Sequence, residues 1–196
     1  MARQAGWTPR DLAHAFLDGG ARLLQIRAKT EPGGLLLALC DEVVRLAESF
    51  GAQVVVNDRA DLARLSGAAG VHVGQDDLSV AAARRLVGPD ALVGLSTHTA
   101  CQIDAGAREP ASYLAVGPVF GTGTKDTGYA AVGLDLVREG CARGGGKPVV
   151  AIGGITIERA PDVLAAGASS VAIVSDLLAA GHPAERVRAY VDRLGA

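Results

Sequence analysis

The sequence predicts an α/β fold in one domain over residues 1–196, a (β/α)8 TIM barrel, and three observations lead there. Short Val/Ile/Leu-rich runs recur along the chain, and between most of them lie stretches with apolar spacing near 3.6 residues, the pattern of alternating strands and helices. The runs are too continuous in hydrophobicity to keep one wet face, as expected of parallel strands covered on both sides. Polar residues gather at or just past the C-terminal ends of the runs, and a barrel collects those ends into one ring around one site. An open doubly wound sheet is the other architecture such units build, but no G-x-G-x-x-G follows the first run.

In chain order, Thr8 before Pro9 reads as an N-cap and first-turn proline, and Gly19-Gly20 closes that helix. ARLLQIR (21–27) is the first strand. LLLALCDEVVRLAESF is a helix ending at Gly51, followed by the strands AQVVVND (52–58) and GVHVG (70–74). Ser79 caps VAAARRLV, which stops at Gly88. LVGLST (92–97) and YLAVGPV (113–119) are strands, and LDLVREGCAR is a helix halted by Gly144-Gly145-Gly146. PVVAIGG (148–154) and SVAIVSD (170–176) complete the strands before the amphipathic helix PAERVRAYVDRL. That makes seven strands, one fewer than a closed barrel needs, and the expectation is that the barrel's first strand is missing from this sequence and lies upstream of it.

With 49% hydrophobic residues but only 4% aromatic ones, the core must be aliphatic. The 19 basic and 21 acidic side chains give a net charge of -2 with no basic block, which argues against nucleic acid as a partner. Cys40, Cys101 and Cys141 are odd in number and widely spaced, against a disulfide framework. The N-terminus lacks a signal-peptide core and no segment reaches the ~18 apolar residues of a membrane span, so a cytoplasmic protein without membrane attachment is expected. Homo-oligomerisation is compatible with the sequence, but no feature specifies it.

Gln25, Arg27 and Lys29 alternate along a strand and its exit, which puts two cations and an amide on one side, suited to an anion with several oxygens. Asp58 and Asp77 end neighbouring strands. Singly each reads as a helix cap; together beside the cations they suit Mg²⁺, which takes one or two carboxylates and fills its shell with water and phosphate oxygens. The loop GPVFGTGTKDTG offers Thr122, Thr124 and Lys125 as donors after a strand. Gly154, Val174 and Ser175 follow the last two strands, where barrels commonly bind a monophosphate. His72 reads as a structural hydrogen-bonding residue first and a base as the minor alternative, and His98 as a second strand-end histidine without an assigned role.

The ordered set QIRAK, NDRADL, GVHVGQDD, GLSTHT, GPVFGTGTK, AIGGI and VS, spanning Gln25 to Ser175, resembles the thiamine-phosphate synthase family. The resemblance implies a TIM barrel that joins hydroxymethylpyrimidine diphosphate to a thiazole phosphate with Mg²⁺. By position it implies that Gln25, Arg27, Lys29 and Asn57 hold the diphosphate substrate, that Asp58 and Asp77 bind Mg²⁺, and that Ser96 contacts the pyrimidine. Thr122, Thr124, Gly154, Val174 and Ser175 would meet the thiazole phosphate, with Lys125 reaching back to the diphosphate. Ser96, Lys125, Arg27 and Lys29 are then the catalytic set. Two other readings remain at this level: a thiazole tautomerase of the same superfamily, and a non-catalytic phosphate-binding relic.

Overall fold

A computed structural model describes residues 5–121, 128–179 and 181–195. Seven parallel strands, β1 (Leu23–Ile26), β2 (Gln53–Asn57), β3 (Gly70–Val73), β4 (Leu92–Thr97), β5 (Tyr113–Val116), β6 (Val149–Ile152) and β7 (Ser170–Ala172), pair in sequence order in one curled sheet. Around them run α1 (Pro9–Asp18), α2 (Gly33–Ser49), α3 (Ala60–Leu65), α4 (Val80–Val87), α5 (Ala100–Arg108), α6 (Gly133–Arg143), α7 (Ala160–Ala165), α8 (Ser175–Ala179) and α9 (Pro183–Leu194). All seven expected runs are strands. The expected caps also form: Thr8 Oγ accepts from the Asp11 amide at 3.1 Å and Ser79 Oγ from the Ala82 amide at 3.3 Å.

The period of two along each strand divides the residues between two environments. Val54, Val56, Val71, Val73, Val93 and Leu95 lie beneath the helices in the main apolar core. Residues of opposite phase face the interior, where Asn57 pairs in register with His72, His72 with Gly94, and Gly94 with Tyr113. That interior carries polar side chains, so the sheet has an aliphatic outside and a chemically equipped inside.

The helical layer and the sheet close differently. Helices α1 and α9 pack together, and Arg188 on α9 donates to the Asp18 carbonyl at the end of α1 at 3.2 Å. Among the described residues β1 and β7 are not paired with each other. Leu23, on the interior phase of β1, is accordingly 46% exposed.

The N-terminal rim of the sheet is tied down. Arg84 of α4 donates to the carbonyls of Gly88, Pro89 and Pro110, at 3.0–3.3 Å, and to Ser112 Oγ at 2.9 Å. At the other end of the chain, Arg186 of α9 grips Asp176 of α8 through two bonds of 3.1 Å, and the buried Tyr190 hydroxyl donates to the same carboxylate. No described helix is long and apolar enough to cross a membrane.

Candidate active site

The strands deliver their polar residues to the C-terminal rim. As the chain leaves β2, Asp58 takes φ 63°, the sole positive φ of a non-glycine residue among those described. An L-residue held there typically costs roughly 1–3 kcal/mol, so its surroundings must hold it. The Asp58 amide donates to the His72 carbonyl at 2.8 Å, and Lys29 Nζ lies 3.0 Å from Asp58 Oδ2. The N-cap of α3 is Arg59, which makes no side-chain cap bond.

Asp77 comes from the loop after β3. One of its carboxylate oxygens accepts the Gly74 amide at 2.8 Å, and its carboxyl also meets that of Asp58. Asp77 is exposed as a residue, yet its carboxyl is turned inward onto these two partners. Burial of that carboxyl, and then the Asp58 carboxyl against it, hold the Asp77 pKa above its ordinary value, while the Gly74 amide and Lys29 pull it down. Lys29, Asn57 and Asp58, with Ala28, Glu31 and Arg59, line a cleft of about 150 Å³. The structure therefore brings together Lys29, Asn57, Asp58 and Asp77. Gln25 and Arg27 stand on the same edge, exposed.

Ser96 lies deeper, 2% exposed on the interior phase of β4. His72 Nε2 is hydrogen-bonded to Ser96 Oγ at 2.8 Å, and His72 Nδ1 to the Tyr113 hydroxyl at 2.9 Å. A neutral imidazole donates from one nitrogen and accepts at the other, so the hydrogens along Tyr113, His72 and Ser96 all run one way. Burial pushes the Tyr113 phenol up to about 12, which keeps it protonated at neutral pH. Gly94 makes room for this chain, because a Cβ there would fall 2.1 Å from Tyr113 Cζ and 2.5 Å from His72 Nδ1. Both ring nitrogens of His72 are thus engaged in hydrogen bonds. Tyr113 is a participant the sequence reading missed, although its strand-start position on the inward phase was the available signal.

His98 donates through Nδ1 to the Gly117 carbonyl, and its ring stacks on Tyr129 with centroids 4.1 Å apart. Gln102 also donates to the Tyr129 hydroxyl at 3.1 Å. Tyr129 follows the glycine-rich loop. Thr122, Thr124 and Lys125 lie outside the described residues.

The last two strands bring Gly154 and Val174 to neighbouring positions, each two residues beyond the paired Ile152 and Ala172. Ser175 then opens α8. Gly154 has φ 63°, and a Cβ there would sit 2.6 Å from the Gly121 carbonyl oxygen and 2.9 Å from Phe120 Cβ. Glycine is required both by the conformation and by the close approach of the two loops.

Two facing carboxylates repel, and Lys29 beside Asp58 offsets one charge only, so the Asp58 and Asp77 pair also fits a divalent metal. No group of three or more His, Cys, Asp or Glu side chains suited to a metal occurs among the described residues. A bound ion would therefore draw its other ligands from water or substrate oxygens, the habit of Mg²⁺.

Residues 5–177 match the thiamine monophosphate synthase family. The thiamine-phosphate synthase of Mycolicibacterium gilvum is 46% identical over 194 residues, covering 93% of this chain and 81% of that protein. A Symbiobacterium thermophilum protein named thiamine biosynthesis bifunctional protein ThiM/ThiE is 43% identical over 97% of this chain, which spans only 39% of that longer relative. Among solved structures, thiamine phosphate pyrophosphorylase from Pyrococcus furiosus superposes with a TM-score of 0.89 at 26% identity, covering 96% of this chain and 90% of that one.

Proposed function

Because this chain belongs to the thiamine monophosphate synthase family, we propose that it couples hydroxymethylpyrimidine diphosphate to hydroxyethylthiazole phosphate, giving thiamine phosphate and diphosphate in a Mg²⁺-dependent transfer. The observation that carries the reading is the Asp77 carboxyl, raised in pKa by burial and by the Asp58 carboxyl, with Lys29 3.0 Å from Asp58. A site for a monophosphate alone has no use for that arrangement, whereas a metal-bridged diphosphate needs it.

The reaction is dissociative. As the bond between the pyrimidine methylene and the diphosphate oxygen breaks, its electron pair leaves with diphosphate, and the thiazole nitrogen supplies the pair that forms the new C–N bond. Asp58 and Asp77 would hold Mg²⁺, which when bound would neutralise charge on the departing diphosphate. Lys29, Arg27 and Lys125 add fixed positive charge to the same oxygens, and Gln25 and Asn57 orient them by hydrogen bonds. Ser96, its hydroxyl set by His72 and Tyr113, faces the pyrimidine. Thr122, Thr124, Gly154, Val174 and Ser175 seat the thiazole phosphate, so that the nucleophilic nitrogen waits close to the developing cation. No protein nucleophile or strong base is required.

The experiment is to mix the purified chain with both substrates and follow diphosphate release and thiamine phosphate formation with and without Mg²⁺. Metal-dependent formation of both products in equal amounts is expected. Binding of thiazole phosphate with no coupling at any metal concentration would overturn the synthase reading in favour of a tautomerase or a binding protein.

A further inference from the structure

We propose that Arg159 is a further binding residue of the monophosphate subsite, supplying the positive charge by which the site prefers a phosphorylated thiazole to the free alcohol. The inference rests on the proposed coupling reaction for the identity of the ligand, and on the following geometry for its residue.

The donors expected for that phosphate among the described residues, Gly154, Val174 and Ser175, carry no charge, while a phosphate monoester carries close to two negative charges at neutral pH. Two arginines stand near these loops. Arg186 is already engaged, with two bonds to the Asp176 carboxylate at 3.1 Å and a salt-bridge distance of 2.9 Å. Arg159 is not: among the described residues no carboxylate lies within ion-pair distance of it, although the adjacent Glu158 carboxyl, its pKa held down first by its bond to the Thr156 hydroxyl, also feels the charges of Arg186 and Arg159.

Arg159 is also held where such a cation is wanted. Its Nη1 donates to the Gly154 carbonyl at 3.2 Å, and its guanidinium carbon lies 4.6 Å from the centroid of the Phe120 ring. Phe120 ends the root of the loop that continues to Thr122 and Thr124, and its amide donates to the Gly153 carbonyl at 3.0 Å. One side chain thus bridges Gly154 and Phe120. The Gly154 carbonyl takes one N–H and Phe120 takes one face, which leaves further donors of the guanidinium fork for an anion.

The test is steady-state kinetics and calorimetry on wild type, Arg159→Ala and Arg159→Lys. Arg159→Ala should raise KM for the thiazole phosphate about tenfold, the size of one charge-assisted contact at a wet site, with KM for the pyrimidine diphosphate unchanged. Arg159→Lys should recover part of the loss, and selectivity for phosphate ester over alcohol should fall in proportion in Arg159→Ala. Calorimetric Kd for thiazole phosphate without the second substrate should shift by the same factor. An unchanged Kd, or equal rises in KM for both substrates, would overturn the assignment. A wild type that binds thiazole phosphate in an Arg159-dependent way but never couples it would refute the coupling reaction and uphold this subsite. Coupling that is indifferent to Arg159 would do the reverse.

Discussion

Replacing Asp77 by Asn should make the metal-free protein slightly more stable while abolishing its response to magnesium. Asparagine keeps a carbonyl oxygen to accept the Gly74 amide, now bonded at 2.8 Å, and removes the charge that faces Asp58. Two unit charges about 4 Å apart repel by about 1 kcal/mol in water. Lys29, 3.0 Å from Asp58, and the open solvent around Asp77 reduce this, leaving about 0.5 kcal/mol. For a chain of 196 residues that is a rise in Tm of about 1–2 °C. The pH dependence is distinctive. Because the folded pKa of Asp77 is raised, its favourable contribution is fully present below the ordinary carboxylate value of about 4 and is lost as pH rises through the folded value. The advantage of Asp77→Asn should therefore be absent near pH 4 and complete by pH 7. Thermal melts of both proteins at several pH values, with chelator and with millimolar Mg²⁺, provide the assay. Magnesium should raise the wild-type Tm and leave the variant unmoved. A variant less stable than wild type at pH 7 in chelator, or equally stabilised by magnesium, would refute the argument that these acids form a strained, metal-ready pair.

Gly94→Ala should lower stability by about 1–3 kcal/mol by overpacking, since the new methyl would occupy the space of the Tyr113 ring and His72 Nδ1; chemical denaturation measures it, and near-ultraviolet circular dichroism should change with it. Tyr190→Phe removes a part-buried bond to Asp176 but leaves Arg186 in place, so a loss of about 1 kcal/mol in urea is expected. An unchanged midpoint would show that the hydroxyl adds nothing to the hold of α9 on α8.

The strands were legible because parallel strands covered on both faces read as unbroken β-branched text, as in Val54-Val55-Val56. Their ends were less so: of the run 21–27 only Leu23–Ile26 is strand, and the residues outside it are Ala21, Arg22 and Arg27, with the Arg22 carbonyl still accepting the Gln53 amide of β2 at 2.8 Å. Helix α5 was not anticipated, although its start signal is present: Thr99 Oγ accepts the Gln102 amide at 3.3 Å and Gln102 accepts the His98 amide at 2.7 Å. Within the site, pairing Asp58 with Asp77 followed from strand adjacency. The left-handed backbone of Asp58 did not, since Asn-Asp after a strand has several allowed conformations, and its contacts with Lys29 and the His72 carbonyl come from elsewhere in the chain. The link from His72 to Tyr113 spans 41 residues, beyond the reach of any local pattern.

Among the described residues, β1 and β7 each leave one border without a strand partner, and a border left so carries a cost unrelated to catalysis. A free strand border is a template on which another chain can lay a strand, the first step of uncontrolled self-association. Here the templates are short, four and three residues, and Arg22 and Arg27 flank the apolar stretch of β1 like gatekeepers. The arginine proposed to grip a diphosphate would thus also help keep molecules apart in a crowded solution, so a change chosen to probe binding at Arg27 is also a change in colloidal behaviour.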